Sequence, residues 1–367
     1  MFKIFQLSPL LLCACAAVSS LSAIQIELDY TYDTQGFFDQ PGSREALRAV
    51  ADFFEERLND SLLEIDQDTF NSGSGLNYTW SATFRHPGNA STITLPGLVV
   101  PANTIIIFAG GENLGGATGL GGPGGYGASG NQAWFDHLDA RGQSGALATP
   151  ATDFGPWGGF ITFNTSLSWH FQMDSRPEGT KADFVSVALH ELGHVLGIGT
   201  ADSWDASINE DDAFTGSQSV SSFGAPVPLD PLLGHWQDDA NCSAPLGYTP
   251  GNALNVLSQT YTSFGNAHGV DQIALMDPSS CTITNVTTLL VFTDLDFAAL
   301  SDIGWEVFQP LDLEVLTLEP AAAESAAVAS RAAVASVPSD AKRGSTEDTS
   351  FSSRSVRFVE GCGLPVQ

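Results

Sequence analysis

The sequence predicts an α+β fold for residues 24–308. An alternating apolar and polar run at the start of this region leads straight into an amphipathic helical pattern, and later β-branched and aromatic runs read as further strands. A second helical pattern, "FVSVALHELGHVLGIG", carries two histidines four residues apart. A chain of 367 residues with 43% hydrophobic content has enough apolar surface to bury a sizeable core.

The first residues, "MFKIFQLSPLLLCACAAVSSLSA", place Lys3 before an apolar stretch and end on Leu21-Ser22-Ala23, the layout of a secretory signal with cleavage expected after Ala23. The apolar run is shorter than the ~20 residues a spanning helix needs, so no membrane association is expected beyond the leader. A lipid anchor on Cys15 is the lesser reading. The expected destination is extracellular, with the periplasm and the cell surface as the other exported compartments.

"IQIELDYTYDT" alternates as a half-buried strand. "SREALRAVADFFEERL" follows as a helix in which Ser43 can cap and Leu47, Val50, Phe53, Phe54 and Leu58 form one apolar stripe. "GLVVPANTIIIFAGG" reads as a long β-branched strand. Residues 109–130 hold eleven glycines and lack the Lys-Ser/Thr ending of a phosphate loop, so a flexible surface loop is expected there. "WGGFITFNTSLSWHF" reads as a strand bounded by Gly158 and Gly159. From residue 309 to 367 the chain turns to small and polar residues and is expected to be a low-complexity, disordered tail.

The formal net charge is −29, and between Ile24 and Phe308 there are 34 acidic and 7 basic residues. Such a surface repels nucleic acid and anionic membranes, which excludes both as expected partners. Solubility in a salty medium is the favoured reading of this excess. Dedicated Ca2+ sites are the lesser one, because carboxylate number alone specifies no cage. In an exported chain Cys242 and Cys281 can pair as a disulfide, leaving Cys362 over.

The chemistry concentrates in the second helix. His190 and His194 emerge from the same face and can reach one metal ion at ~2.1 Å, while Leu189, Leu192 and Leu196 face elsewhere. Glu191 then stands beside the metal without binding it, the position of a general base toward a zinc-activated water. Gly197 and Gly199 end the helix and permit a sharp turn. A catalytic zinc site needs a third protein ligand. Downstream of the helix Asp202, Asp205, His235 and His268 are the candidates.

His190-Glu191-Leu192-Gly193-His194-Val195-Leu196-Gly197 resembles the zinc signature of the metzincin metalloproteases. "GGFITFN", residues 158–164, resembles the edge strand that precedes the active-site helix in matrixins; this implies that Gly159, Phe160, Ile161, Thr162, Phe163 and Asn164 pair with an extended substrate. "ALMDPSS" resembles the Met-turn, with Met276 packed beneath the metal, and "FTDLDFAALSDIGW" is similar to the closing helix. The departure is Thr200, which stands where short-spacer members carry the third ligand. The order Gly197-Ile198-Gly199-Thr200, Trp204, "FTG", Gly234-His235-Trp236 and Met276 is similar to bacterial leishmanolysin-like peptidases, which implies His235 as third ligand, with Asp202 and His268 as alternatives.

The resemblance implies a metzincin-like zincin over residues 24–308. Residues 24–199 would hold a twisted mixed sheet and the active-site helix, and residues 200–308 an irregular subdomain with Met-turn and closing helix. It implies one catalytic Zn2+, a protein or peptide substrate, and a monomeric secreted endopeptidase with Glu191 as general base. The alternative is a non-catalytic secreted or surface binding protein that keeps the zinc fold. The intact Glu191 weighs against it.

Overall fold

The computed structural model describes residues 24–74, 77–173, 175, 177–237, 256–261, 269–278, 290–308 and 352–353. The expected leader, Cys242, Cys281, His268 and nearly all of the tail lie outside the described residues.

The fold is α+β, built on a mixed four-stranded sheet in the order β1 (Gln25–Asp29), β4 (Thr104–Glu112), β7 (Gly158–Asn164) and β5 (Gly119–Pro123). β1, β4 and β7 run parallel, and β5 runs antiparallel to β7 at the edge. A second, antiparallel sheet contains β2 (Thr79–Arg85), β3 (Thr92–Pro96) and β6 (Gly125–Ser129), with Ser352–Ser353 paired to β6.

The strand period of two sorts the side chains into two cores. Ile105, Ile107 and Ala109 of β4 and Ile161 and Phe163 of β7 face α1 (Ser43–Glu55) and α4 (Phe184–Val195). Ile106, Phe108 and Phe160 face the other way, onto Trp80, Ala82 and Phe84 of β2, where Phe84 and Phe108 stack at 4.2 Å. A strand buried on both faces reads as a continuous apolar run, which is why "TIIIFA" shows no alternation. Of the other helices, α2 (Gln67–Ser74) and α3 (Gln132–Ala140) flank the second sheet, and Phe70 and Trp134 pack between them at 4.6 Å. The short α5 (Asp202–Asp205), α6 (Ser217–Phe223) and α7 (Asp294–Asp302) follow the zinc-signature helix. No helix among the described residues is long and apolar enough to cross a membrane.

Three sequence expectations are corrected. Residues 109–130 form the end of β4 and the whole of β5 and β6, mostly buried, where a loop was expected. The physical reason is close approach: a β-carbon on Gly119 would lie 2.6 Å from Glu191 Oε1, and one on Gly121 would overlap the Glu191 carbonyl. Strand 158–164, expected at the edge, has β4 on one side and β5 on the other, so Gly159–Asn164 have no free edge to offer. The edge belongs to β5. α1 is preceded by Gly42 at φ 85, and the Ser43 hydroxyl instead donates to the Gln40 carbonyl.

Candidate metal centre

α4 is buried along its whole length, as its apolar residues on every side require. Its end is made by Gly197 (φ 111) and Gly199 (φ 73), conformations that side chains with a β-carbon resist. Gly199 also needs to be small because a β-carbon there would overlap the Gly234 carbonyl, so the chain that carries His235 docks on the helix turn. Thr200 donates from Oγ1 to the His194 carbonyl at 2.7 Å, a second bond to a carbonyl that also accepts from Gly197 N at 3.1 Å. Its hydroxyl is used as a cap.

Between the turn and His235 the chain is held by aromatic packing. Trp204 stacks on Phe214 at 4.3 Å and meets Trp236 at 5.3 Å, and the Trp204 indole donates to the Leu233 carbonyl at 2.8 Å. This packing fixes the position of His235, which sequence separation leaves free. Residues 275–276 pass beneath the helix. Met276 is fully buried, and a β-carbon on Gly193 would sit 2.6 Å from its sulfur. Asp296 of α7 ties the parts together: Oδ1 accepts from the Trp236 indole (2.8 Å) and Met276 N (3.2 Å), and Oδ2 accepts from Leu275 N (2.9 Å) and Thr293 N (2.8 Å).

His190, His194 and His235 converge, the one such group of potential ligands among the described residues. Nε2 of His194 lies 3.0 Å from Nε2 of His190 and 3.1 Å from Nε2 of His235. The opposite nitrogens of the two helix histidines face carbonyls, Nδ1 of His190 at 2.8 Å from Leu275 O and Nδ1 of His194 at 2.9 Å from Ile198 O. A carbonyl only accepts, so both Nδ1 atoms carry the proton and both Nε2 atoms present lone pairs. Burial, and then the neighbouring imidazoles, holds His190 down at about 3 and His194 well below the usual imidazole range, which keeps both rings neutral. Lone pairs aimed at one another at this distance repel unless a cation lies among them. The donor set therefore fits a borderline-soft cation such as Zn2+.

Glu191 is buried beside the three histidines and under β5. Burial pushes its carboxyl up to about 8, against the Gly121 N–H that hydrogen-bonds it and favours the anion. Oε2 has no hydrogen-bond partner. A carboxyl poised there can take and return a proton near neutrality. Asp202, at the exposed start of α5, is outside the cluster, so the structure does not bring that alternative ligand together with the helix histidines. His86, His137 and His170 bond Gly88 N, Glu64 O and Ser175 O respectively, all away from this centre.

Sequence reasoning missed the glycines of β5, the carbonyls of Leu275 and Ile198, and Asp296. The capping-box pattern Thr293-x-x-Asp296 was a readable signal for the last of these, since both halves of the box form. The glycines gave none, because glycine has low strand propensity and no periodicity.

Comparison with known proteins agrees with this geometry. The Matrixin family model matches residues 130–210, which span β7 and α4 and end before His235. Metalloendoproteinase 4-MMP of Arabidopsis thaliana is 34% identical over 73 residues, covering 20% of this chain and 21% of that protein. The chain thus spans about a fifth of the length of this curated relative. No solved structure matches. The two matches support a metzincin-type zinc metalloprotease.

Proposed function

We propose that this protein is a secreted zinc-dependent endopeptidase with Glu191 as general base and His190, His194 and His235 as metal ligands. The observation that carries the proposal is the convergence of three buried imidazole Nε2 atoms next to a buried carboxyl whose Oε2 is unpartnered. Zinc held by these histidines would polarise a scissile carbonyl and acidify a water. Glu191 Oε2 would take the proton of that water and pass it to the leaving amine nitrogen. The Gly121 N–H on its other oxygen keeps the carboxyl aimed. Met276 acts as a packing floor under Gly193, in the manner of a Met-turn.

The substrate would bind as an added strand along β5. The bonds from Asn164 N to Thr118 O and from Gly124 N to Gly158 O direct the even-numbered residues of β5 toward β7. By the strand period the main-chain groups of Gly119 and the Gly121 carbonyl face the other side, where no strand pairs among the described residues, while the Gly121 N–H is taken by Glu191. An extended peptide pairing there would lie alongside Glu191.

Glu191→Gln tests the reading. The variant should keep one zinc per chain and lose hydrolysis of an unfolded protein substrate by at least ~100-fold. Activity near that of the unaltered protein would refute the assignment of the base. Zinc-free preparations of a protein that still cleaves would refute the metal.

A further inference from the structure

Asp230 and His235 close the loop 230–235 on itself. Asp230 N donates to the His235 carbonyl at 3.0 Å, and the Asp230 Oδ1 accepts from Gly234 N and His235 N, each at 3.0 Å. Leu233, at φ 62, makes the tight bend between them. Oδ1 is therefore spent on the backbone of the loop. Oδ2 is directed at the ring: it lies 3.6 Å from Nδ1 of His235, with the two side chains only 7% and 2% exposed. That nitrogen is buried and has no hydrogen-bond partner.

The contrast with the helix histidines is chemical. Their Nδ1 atoms meet backbone carbonyls at 2.8 and 2.9 Å, whereas Nδ1 of His235 has no acceptor within hydrogen-bond reach. If His235 gives the Nε2 lone pair to a metal, its proton must stand on Nδ1. A buried N–H left without an acceptor is destabilising. The group facing it is the remaining oxygen of Asp230.

We infer that Asp230 is a positioning residue of the metal centre: Oδ1 clamps the loop, and Oδ2, 3.6 Å from Nδ1 in this structure, closes on the Nδ1 proton of His235 when Nε2 binds the metal. It thereby fixes the imidazole tautomer and sets a buried anion behind the one ligand the helix does not supply. The inference rests on the reading of His235 as third ligand. A carboxylate in this place makes the imidazole a stronger donor and stiffens its orientation. The long excursion of the chain between the helix and His235 makes that stiffening matter, because no helix backbone orients this ring.

Asp230→Asn separates the two roles of the side chain. The amide oxygen can still accept from Gly234 N and His235 N, while the amide nitrogen meets Nδ1–H donor against donor. The full-length variant, titrated with Zn2+ against a chromophoric chelator, should bind about 10–100-fold more weakly than the unaltered protein. Its metal-free form should show unchanged near-ultraviolet circular dichroism. Affinity within twofold of the unaltered protein would overturn the inference.

His235→Ala, run alongside, distinguishes the two failures. Undiminished zinc binding by that variant sinks the ligand assignment itself. Its loss together with an unchanged Asp230→Asn sinks only the role of Asp230. Should Asp230→Asn not fold, the zinc-loaded unaltered protein gives the answer by nitrogen-15 NMR. The His235 Nδ1 proton is expected as a low-field, slowly exchanging resonance, and a fast-exchanging proton would overturn the inference.

Discussion

Thr200 follows the glycine turn of the helix that carries His190 and His194, and its hydroxyl donates to the His194 carbonyl at 2.7 Å. Its place after the glycine turn is where a short-spacer site would need a ligand, and a hydroxyl there looks like a broken centre. Folded, its hydroxyl adds a second donor to the His194 carbonyl, while His235 arrives on a separate loop seated on Gly199. Removing the hydroxyl should therefore touch stability and leave the metal alone. Thr200→Val is expected to lower the unfolding free energy by about 1 kcal/mol with zinc stoichiometry unchanged, as read by urea denaturation and metal analysis. Loss of zinc from this variant would mean that residue 200 belongs to the centre. The helix residues were legible because their chemistry follows a fixed spacing. His235 was legible only through resemblance, since nothing in its own neighbourhood states how far the chain travels before returning.

The elements divide in the same way. α1, β4, β7 and α4 carry periodic or continuous apolar patterns; both helices begin where the sequence places them, while the runs 97–111 and 157–171, read as strands throughout, form them over Thr104–Glu112 and Gly158–Asn164. β5 was invisible. It is a strand made of the wrong residues, Gly-Leu-Gly-Gly-Pro, because its helix-facing positions must admit Glu191 with no side chain between. Missing it moved the expected substrate edge one strand inward, onto β7.

Two substitutions follow from this contact. A methyl at residue 119 would meet Glu191 Oε1 and Cγ and the Val187 side chain, groups that can shift, so Gly119→Ala should displace the carboxyl and leave the backbone. Its kcat should fall at least ~10-fold with zinc retained. A methyl at 121 meets the Glu191 backbone, which cannot move aside, and Gly121→Ala should destabilise by about 1–3 kcal/mol. Unaltered kcat in Gly119→Ala would show that β5 does not set the base.

At the scale of the molecule, the first and last described parts of residues 24–308 are joined at one seam. Leu58 bridges Val307, Asn59 N donates to Glu306 O at 3.0 Å, Phe308 N donates to Arg57 O at 2.7 Å, and Glu306 N donates to Asp60 Oδ2 at 3.0 Å. This seam binds the end of α1 to the chain that leaves α7, and through α7 and Asp296 to the segment under the metal centre. Asp60 is its vulnerable point. Burial pushes the carboxyl up to about 7, with Glu306 and Asp153 adding repulsion.

The folded protein therefore holds a proton on Asp60 that the unfolded chain releases near pH 4. Bound protons exceed those of the unfolded state between about pH 4 and about pH 7, so stability falls as pH rises through that window. Asp60→Asn keeps an acceptor for Glu306 N and removes the ionisation. The variant and the unaltered protein should be nearly equal below about pH 4, where Asp60 is protonated in both states, and the variant should gain an advantage as pH rises from there toward about 7. The advantage of the variant should grow by about 1 kcal/mol from pH 6 to pH 8, measured as the difference between their denaturation curves at each pH. Taking that difference cancels the titration of the histidine cluster and of the acidic surface, which both proteins share. A difference that stays flat with pH would mean that Asp60 is ionised in the fold throughout, and that the seam is held by its backbone bonds and apolar contacts alone.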